Sequence, residues 1–142
     1  MSAPITSEPL SAELRHLLIE NNLPTADFEE TSVRFYVARA ADALLGMVGL
    51  ECHGEAALLR SLAVAKPARG RGIGTALVRY AERAASTQNV RTVYLLTTTA
   101  ERFFADLGYR NLPRGDAPAS IASTAEFSSL CPTSSAFMGK SL

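Results

Sequence analysis

The reading turns on the stretch "RSLAVAKPARGRGIGTALVRYAE", residues 60–82. An apolar run that reads as a strand meets a loop carrying Lys66, Arg69 and Arg71 and the alternate glycines Gly70, Gly72 and Gly74. Behind them Ile73, Ala76, Leu77, Tyr80, Ala81 and Ala84 recur at helical spacing. A helix N-terminus leaves up to four backbone N–H groups unpaired and carries a partial positive charge. Glycines just ahead of it let an anion approach the backbone closely. The stretch therefore reads as strand, anion-binding turn, helix, and the anion it suits is a phosphate or pyrophosphate. The plainer alternative is a turn that merely joins strand to helix, with its arginines solvated. Two phosphate motifs drop out. A Walker loop needs a lysine after its glycine, and a dinucleotide fingerprint needs a third glycine where Thr75 or Leu77 stands.

Upstream, "VRFYVARA" (33–40) alternates apolar and polar residues and "ALLGMVGLEC" (43–52) follows a short polar joint, which predicts an antiparallel hairpin. "EAALLRSLAV" (55–64) is a further strand, apolar enough to lie centrally. Downstream, "VRTVYLLTTT" (90–99) reads as a strand and "AERFFADLGY" (100–109) as a short helix closed by Gly108 in a left-handed C-cap. Residues 10–21 read as a helix capped by Ser7 or Ser11. "NNLPTADFEE" (21–30) breaks it at Pro24 and forms a turn or short helix. Residues 117–130 read as helical and 134–142 as a closing strand. The order predicts an α/β domain, residues 1–142, with a single mixed central sheet flanked by helices.

Fourteen basic and fourteen acidic side chains cancel, so no global field draws in nucleic acid, and anion recognition must be local. Cys52 and Cys131 lie far apart with no metal-ligand spacing, which argues against zinc or a disulfide scaffold and fits a reducing cytosol. No targeting leader and no membrane-span-length run is evident, so a cytoplasmic protein that meets no membrane is expected.

Arg69-Gly70-Arg71-Gly72-Ile73-Gly74 resembles the Arg/Gln-x-x-Gly-x-Gly/Ala signature of the GNAT family of N-acetyltransferases. "LAV" ahead of it and "TALV" behind it match the flanks, and "FFADLGY" (103–109) is similar to the family's Phe-Tyr-x-x-x-Gly-Phe ending; the resemblance covers roughly residues 33 to 110. It implies the GNAT fold, with splayed fourth and fifth strands. Acetyl-CoA is the implied co-substrate, with its pyrophosphate on the amides of Arg69, Gly70, Arg71, Gly72, Ile73, Gly74 and Thr75. The pantetheine arm would lie along Leu62, Ala63 and Val64, and no metal is implied.

Two departures matter. Where many members carry Asn-x-x-Ala-x-x-Phe-Tyr, this chain has Thr97 for the asparagine and Phe104 for the tyrosine that often protonates the leaving thiolate. Phe104 is placed with the cofactor-binding residues, but it has no proton to give. The amide of Leu62 is the expected oxyanion donor, and Tyr94, Tyr109 or a water are lesser candidates for the acid. For the base that must free the amine's lone pair, Glu51, His53 and Glu55 are the candidates, with Glu55 preferred. His16 reads as a helix-surface residue.

"YLLTTTAERFFADLGY" resembles the amino-acid-acetylating branch, N-acetylglutamate synthases included. "STAEFSSLCPTSSAFMGKSL" looks more like the small arsenic-resistance N-acetyltransferases, whose implied substrate is arsinothricin, a glutamate analogue. Arg60 inside an apolar strand needs a partner, either a ligand carboxylate or an acid such as Glu101. Thr97 and Thr98, with Ser134, complete the expected substrate contacts, while Thr99 alternatively caps the next helix. Cys131 reads as a packed residue. Acetylation of glutamate itself, a CoA sensor without turnover and peptide acetylation are the competing functions; a homodimer through the last strand is common in folds of the family it resembles, and no residue pattern here shows one.

Overall fold

Alternation of apolar residues builds the sheet, and the hairpin is its clearest product. In the computed structural model, which describes residues 3–29 and 31–142, it forms as β2 (Arg34–Ala40) and β3 (Ala43–His53) around a tight turn in which Ala41 takes φ +52°. β4 (Ala56–Val64) continues the antiparallel meander. A crossover through α2 (Ile73–Thr87) then brings β5 (Thr92–Thr97) parallel to β4. Met1, Ser2 and Glu30, the last of which closes the segment expected to break the first helix, lie outside the described residues.

Several elements depart from expectation. A strand β1 (Ile5–Glu8), not anticipated, pairs antiparallel with β2, so the strand ahead of the glycine loop is indeed the fourth. α1 (Ala12–Glu20) starts at Ser11, whose hydroxyl accepts from Leu14 N at 3.2 Å, while Ser7 lies within β1. After α3 (Glu101–Asp106) comes the two-residue β6 (Arg110–Asn111). The run 117–130 is not one helix but α4 (Ala119–Ala122) and a π-helical turn (Glu126–Leu130). The closing strand β7 (Ala136–Ser141) is not an edge, because it inserts between β5 and β6 in the order β1-β2-β3-β4-β5-β7-β6.

The sheet buries both faces. Tyr36, Val48, Leu50, Leu59, Val93 and Met138 pack on Leu77, Val78 and Ala81 of α2. Phe35, Val37, Met47 and Ala63 pack on Leu14, Leu17 and Leu18 of α1, and Leu58 packs with Ile121 of α4 and Phe137. Among the described residues no helix is long and apolar enough to cross a membrane.

Past α3, Gly108 at φ +100° makes the left-handed cap that the sequence implies. Tyr109 N reaches Phe104 O and Gly108 N reaches Ala105 O, the Schellman pair of bonds. That cap aims Tyr109 inward, where its hydroxyl donates to Glu82 of α2 at 3.0 Å and Lys140 of β7 reaches the same carboxylate at 3.1 and 3.2 Å. Burial and the adjacent Glu82 charge push the Tyr109 phenol well above its ordinary value, so it is a structural hydroxyl rather than a proton donor. Lys140→Met, which leaves the Glu82 charge only the longer Arg79 ion pair at 3.6 Å and the Tyr109 hydroxyl, is expected to lower stability more than Tyr109→Phe, which removes one hydrogen bond worth about 1–2 kcal/mol; urea unfolding of the two variants checks the order.

Candidate active site

β4 and β5 pair at Ala56↔Thr92, Ala57↔Val93 and Leu58↔Tyr94, then part while both strands run on. β5 is held on its other side by β7, from Thr92↔Ser141 to Thr97↔Ala136, so it cannot follow β4. The gap opens into a cleft of about 330 Å³, closed on its flanks by Asn21–Pro24 after α1 and by the segment from Glu126 to Ser135. At its edge β4 is deformed. The β3 register steps from Met47↔Ala63 to Gly49↔Arg60, so that Ser61 and Leu62 oppose Val48 alone, a β-bulge. Ser61 carries it at φ +59°. The register needs no side chain at Gly49, where a Cβ would meet Val33 Cγ1 at 2.9 Å and the Arg60 carbonyl at 3.3 Å.

Beyond β4 a 3-10 turn (Lys66–Ala68) leads into the glycine loop. Gly72 is the N-cap of α2 at φ +78°, and Gly70 takes φ +80°. A Cβ at either would touch nothing within 4 Å, so glycine is required there by backbone angle rather than by space. Ala76 N bonds to Gly72 O, but among the described residues no backbone carbonyl accepts from the amides of Gly70 to Thr75. Arg69 differs from expectation, since its amide bonds Lys66 O. Its guanidinium bonds Val64 O at 3.2 Å and Asn21 Oδ1 at 2.9 Å, which pins the loop to the end of β4 and to the C-cap of α1. The amides left for an anion therefore run from Gly70, and the exposed cations beside them with no hydrogen bond to the described residues are Lys66 and Arg71.

On the cleft floor Arg60 is enclosed by three carboxylates from three segments. It donates to Asp27 at 2.6 and 2.7 Å and to Glu51 at 3.1 Å, and its Nε stands 3.1 Å from Glu126 Oε2. That last approach is off the N–H direction, so Nε has ion-pair contact without a hydrogen bond. The guanidinium also lies over the Phe28 ring, 5.1 Å from its centroid. Glu51 Oε2 meets His53 Nε2 at 2.6 Å, linking the cluster to a half-buried imidazole. Burial alone would raise the Asp27 carboxyl, but its bonds to Arg60 outweigh that and hold it below the usual range. Glu126 has the opposite balance. Burial raises it, Arg60 pulls it back, and Asp27 and Glu51 push it up again, leaving it at about 7. Cys131, at the end of the π-helical turn, is pushed up to about 12 by burial and by Glu126, so it stays a thiol.

The cleft thus collects Arg60, Leu62, Thr97, Thr98 and Phe104, as expected, but several roles change. The side chain of Arg60 has 0% exposure and three acid partners, so it holds structural carboxylates rather than a ligand, and exposed Glu101 is not among them. Glu55 sits in the β3–β4 turn at the far end of β4, 73% exposed and paired with Arg91, and is no base for this cleft. Ser134 is exposed, and its neighbour Ser135 is the buried serine that lines the cleft. Thr97, not Thr99, spends its hydroxyl on the helix start, accepting from Ala100 N at 3.0 Å. Tyr94 is stacked on Phe137, not in the lining. Asp27 and Glu126 escaped the sequence reading. Asp27 leaves no spacing signal, but Glu126 is the one acid after Asp116 and stands in a run of hydroxyl and apolar residues.

Arg60→Ala leaves three buried carboxylates facing each other, so chemical denaturation is expected to show a loss of about 3–5 kcal/mol. Glu126→Gln should do the reverse at high pH. A carboxyl raised in the folded state supports folding below its unfolded value and loses that support as pH rises through the folded one. The variant's melting temperature should therefore exceed the parent's at pH 8, with the advantage gone by about pH 4.5, the ordinary value for this carboxyl.

The family model described as "Acetyltransferase (GNAT) domain" matches residues 31–111, more than half of the chain. A comparison with curated protein sequences gives no match. Among solved structures, N-acetylglutamate synthase from Neisseria gonorrhoeae, complexed with coenzyme A and N-acetyl-glutamate, is similar with a TM-score of 0.80 at 17% identity over 100% of this chain and 36% of that one. Rv2747 from Mycobacterium tuberculosis, in complex with CoA and NLQ, gives 0.74 at 19% identity, covering 96% and 99% of the two chains. A GNAT-family acetyltransferase from Staphylococcus aureus gives 0.73 at 22%, covering 98% and 99%. The chain spans about a third of the Neisseria synthase, and at these identities the likeness is one of fold. Strand, glycine loop, parted strands and family model agree: the chain belongs to the GNAT family of acetyltransferases.

Proposed function

We propose that the chain transfers acetyl from acetyl-CoA to the α-amine of a small glutamate-like amino acid, arsinothricin first and glutamate second. The observation that carries the acyl-transfer reading is that one strand serves both halves of the reaction. β4 ends in the glycine loop and, two residues earlier, bulges at the mouth of the cleft. A pyrophosphate on the free amides from Gly70 to Thr75 would send the pantetheine arm back along the β4 edge that β5 has left, where unpaired strand groups can bond its amides. That path ends at Leu62, whose bulged amide is the donor for the thioester oxygen as negative charge develops there.

The amine attacks the acetyl carbon, the C–N bond forms and the C–S bond breaks. Phe104, buried with its ring edge-to-face on Phe103 and Tyr109, gives the leaving sulfur no proton. A thiol of pKa about 8.5 leaves tolerably as thiolate near neutral pH. The acidic-amino-acid reading rests on the segment 90–142 and on the N-acetyl-glutamate held by the similar Neisseria fold. With Arg60 engaged, the acceptor's acid groups fall to the side-chain amide of Asn22 and the hydroxyls of Thr98 and Thr99 on the cleft wall, since Asn21 is bonded to Arg69 and Leu17.

Thiol release from acetyl-CoA, followed with arsinothricin, its phosphorus analogue, glutamate, aspartate and a peptide pool, tests this reading. Turnover with the arsenical well above glutamate supports it, and turnover with glutamate alone moves the chain to amino-acid metabolism. Preference for peptides overturns the small-substrate reading. A rise in melting temperature with acetyl-CoA but no thiol release with any amine makes the chain a sensor, the reading that Phe104 favours. Sizing the same preparations in solution checks the homodimer, which cannot pair through β7 because that strand lies between β5 and β6.

A further inference from the structure

We propose that Glu126 is the general base of the acyl transfer and that the hydroxyls of Ser61 and Ser135 hold the acceptor ammonium beside it. The proposal deepens the acyl-transfer reading and rests on it. Three independent segments bring acceptor oxygens to one cleft: the β4 bulge carries Ser61, the π-helical turn carries Glu126, and the approach to β7 carries Ser135. Both serines are 6% exposed, and among the described residues both hydroxyl oxygens lack a hydrogen-bond partner. Buried hydroxyls are normally bonded, so two unbonded ones lining one cleft point to a ligand. An ammonium has three N–H donors, which matches one carboxylate and two hydroxyls. Ser61 also precedes Leu62, so an amine bonded to its hydroxyl stands next to the carbonyl whose oxygen the Leu62 amide receives.

Charge selects the same group. The groups facing Glu126 are Arg60 from β4, Asp27 from the loop after α1, Glu51 from β3 with His53 behind it, and Cys131 at the end of its own turn. Arg114, lying 4.7 Å from the Phe127 centroid, acts on Cys131 from the far side. Three carboxylates against one guanidinium leave the floor acidic and attractive to a cation. Asp27 takes both Nη atoms of Arg60, and Glu126 keeps only a poorly aligned contact, so its carboxylate remains able to take a proton. A carboxyl at about 7 is partly ionised near neutral pH and can take a proton from the bound ammonium. In the step, the ammonium gives one proton to Glu126 and the freed nitrogen attacks the acetyl carbon. The thiolate leaves and takes the second nitrogen proton, and Glu126 returns the first to solvent.

The test compares wild type with Glu126→Gln, Glu126→Asp, Ser61→Ala and Ser135→Ala, using the best amine from the thiol-release panel and the melting-temperature shift given by acetyl-CoA. Glu126→Gln should lose about 10²-fold or more in kcat at pH 7. Its acetyl-CoA shift should be intact, and its residual rate should climb about tenfold per pH unit as free amine accumulates. Glu126→Asp should recover part of the rate. The serine variants should raise KM for the amine about tenfold with smaller effects on kcat. An active wild type with Glu126→Gln equally active and unchanged in pH profile overturns the base and leaves acyl transfer standing. Unchanged KM in both serine variants overturns the ammonium seat. A wild type that binds acetyl-CoA but acetylates no amine overturns the reading beneath the proposal, and the base with it.

Discussion

The site depends on a guanidinium with no access to solvent. Arg60 takes its charge into the centre of the sheet, where desolvation costs several kcal/mol per ion unless partners surround it. It draws them from a loop near residue 27, from β3 and from a turn near residue 126. One charged side chain thereby ties the end of α1, the meander and the C-terminal cover to the strand that forms the cleft wall. Burial also lowers the tendency of Arg60 to stay charged, yet its acids more than compensate, and it remains a guanidinium throughout.

The parting of β4 and β5 follows from pairing rules as much as from any ligand. β5 has one neighbour it follows for six registers, β7, and another it follows for three, β4. Pairing ends at Leu58, and the bulge at Ser61 and Leu62 a few residues on increases local twist and carries β4 further away. Unpaired strand groups and an unpaired helix N-terminus then lie end to end. Arg69 fixes their relation by bonding the last carbonyl of β4 from the loop. The guanidinium that a phosphate site would be expected to spend on its ligand is spent on holding the amides in place.

How much of this was legible in the sequence divides along physical lines. Periodicity and the glycine signature carried the meander, the crossover and the loop, because those elements bury apolar faces or require left-handed backbone. β1 is invisible because "ITSE" has one apolar residue, Ile5, which is too few to show a period, and it is held as a strand by pairing with β2. The segment 117–130 misled because small and hydroxyl residues have no strong period, so a short helix and a π-helical turn read alike. Thr97 rather than Thr99 meets the helix start, and Ser135 rather than Ser134 faces inward; an error of one residue in an irregular segment reverses which side chain is buried. Arg60 was recognised as needing a partner, and the partners were missed because they lie 33, 9 and 66 positions away in sequence.

The misplaced base has the same origin. Glu55 adjoins β4 in sequence, but a β-strand separates its two ends by about 3.3 Å per residue, and that end of β4 is remote from the Leu62 amide proposed as the oxyanion donor. A carboxyl able to exchange protons near neutrality needs burial and like-charged neighbours. A solvated hairpin turn offers neither. The cleft floor offers both, because the acids gathered to neutralise Arg60 exceed what one guanidinium can neutralise. The surplus falls on the member with the poorest geometry toward Arg60, Glu126, whose elevated carboxyl is thus a consequence of how the sheet buries its arginine.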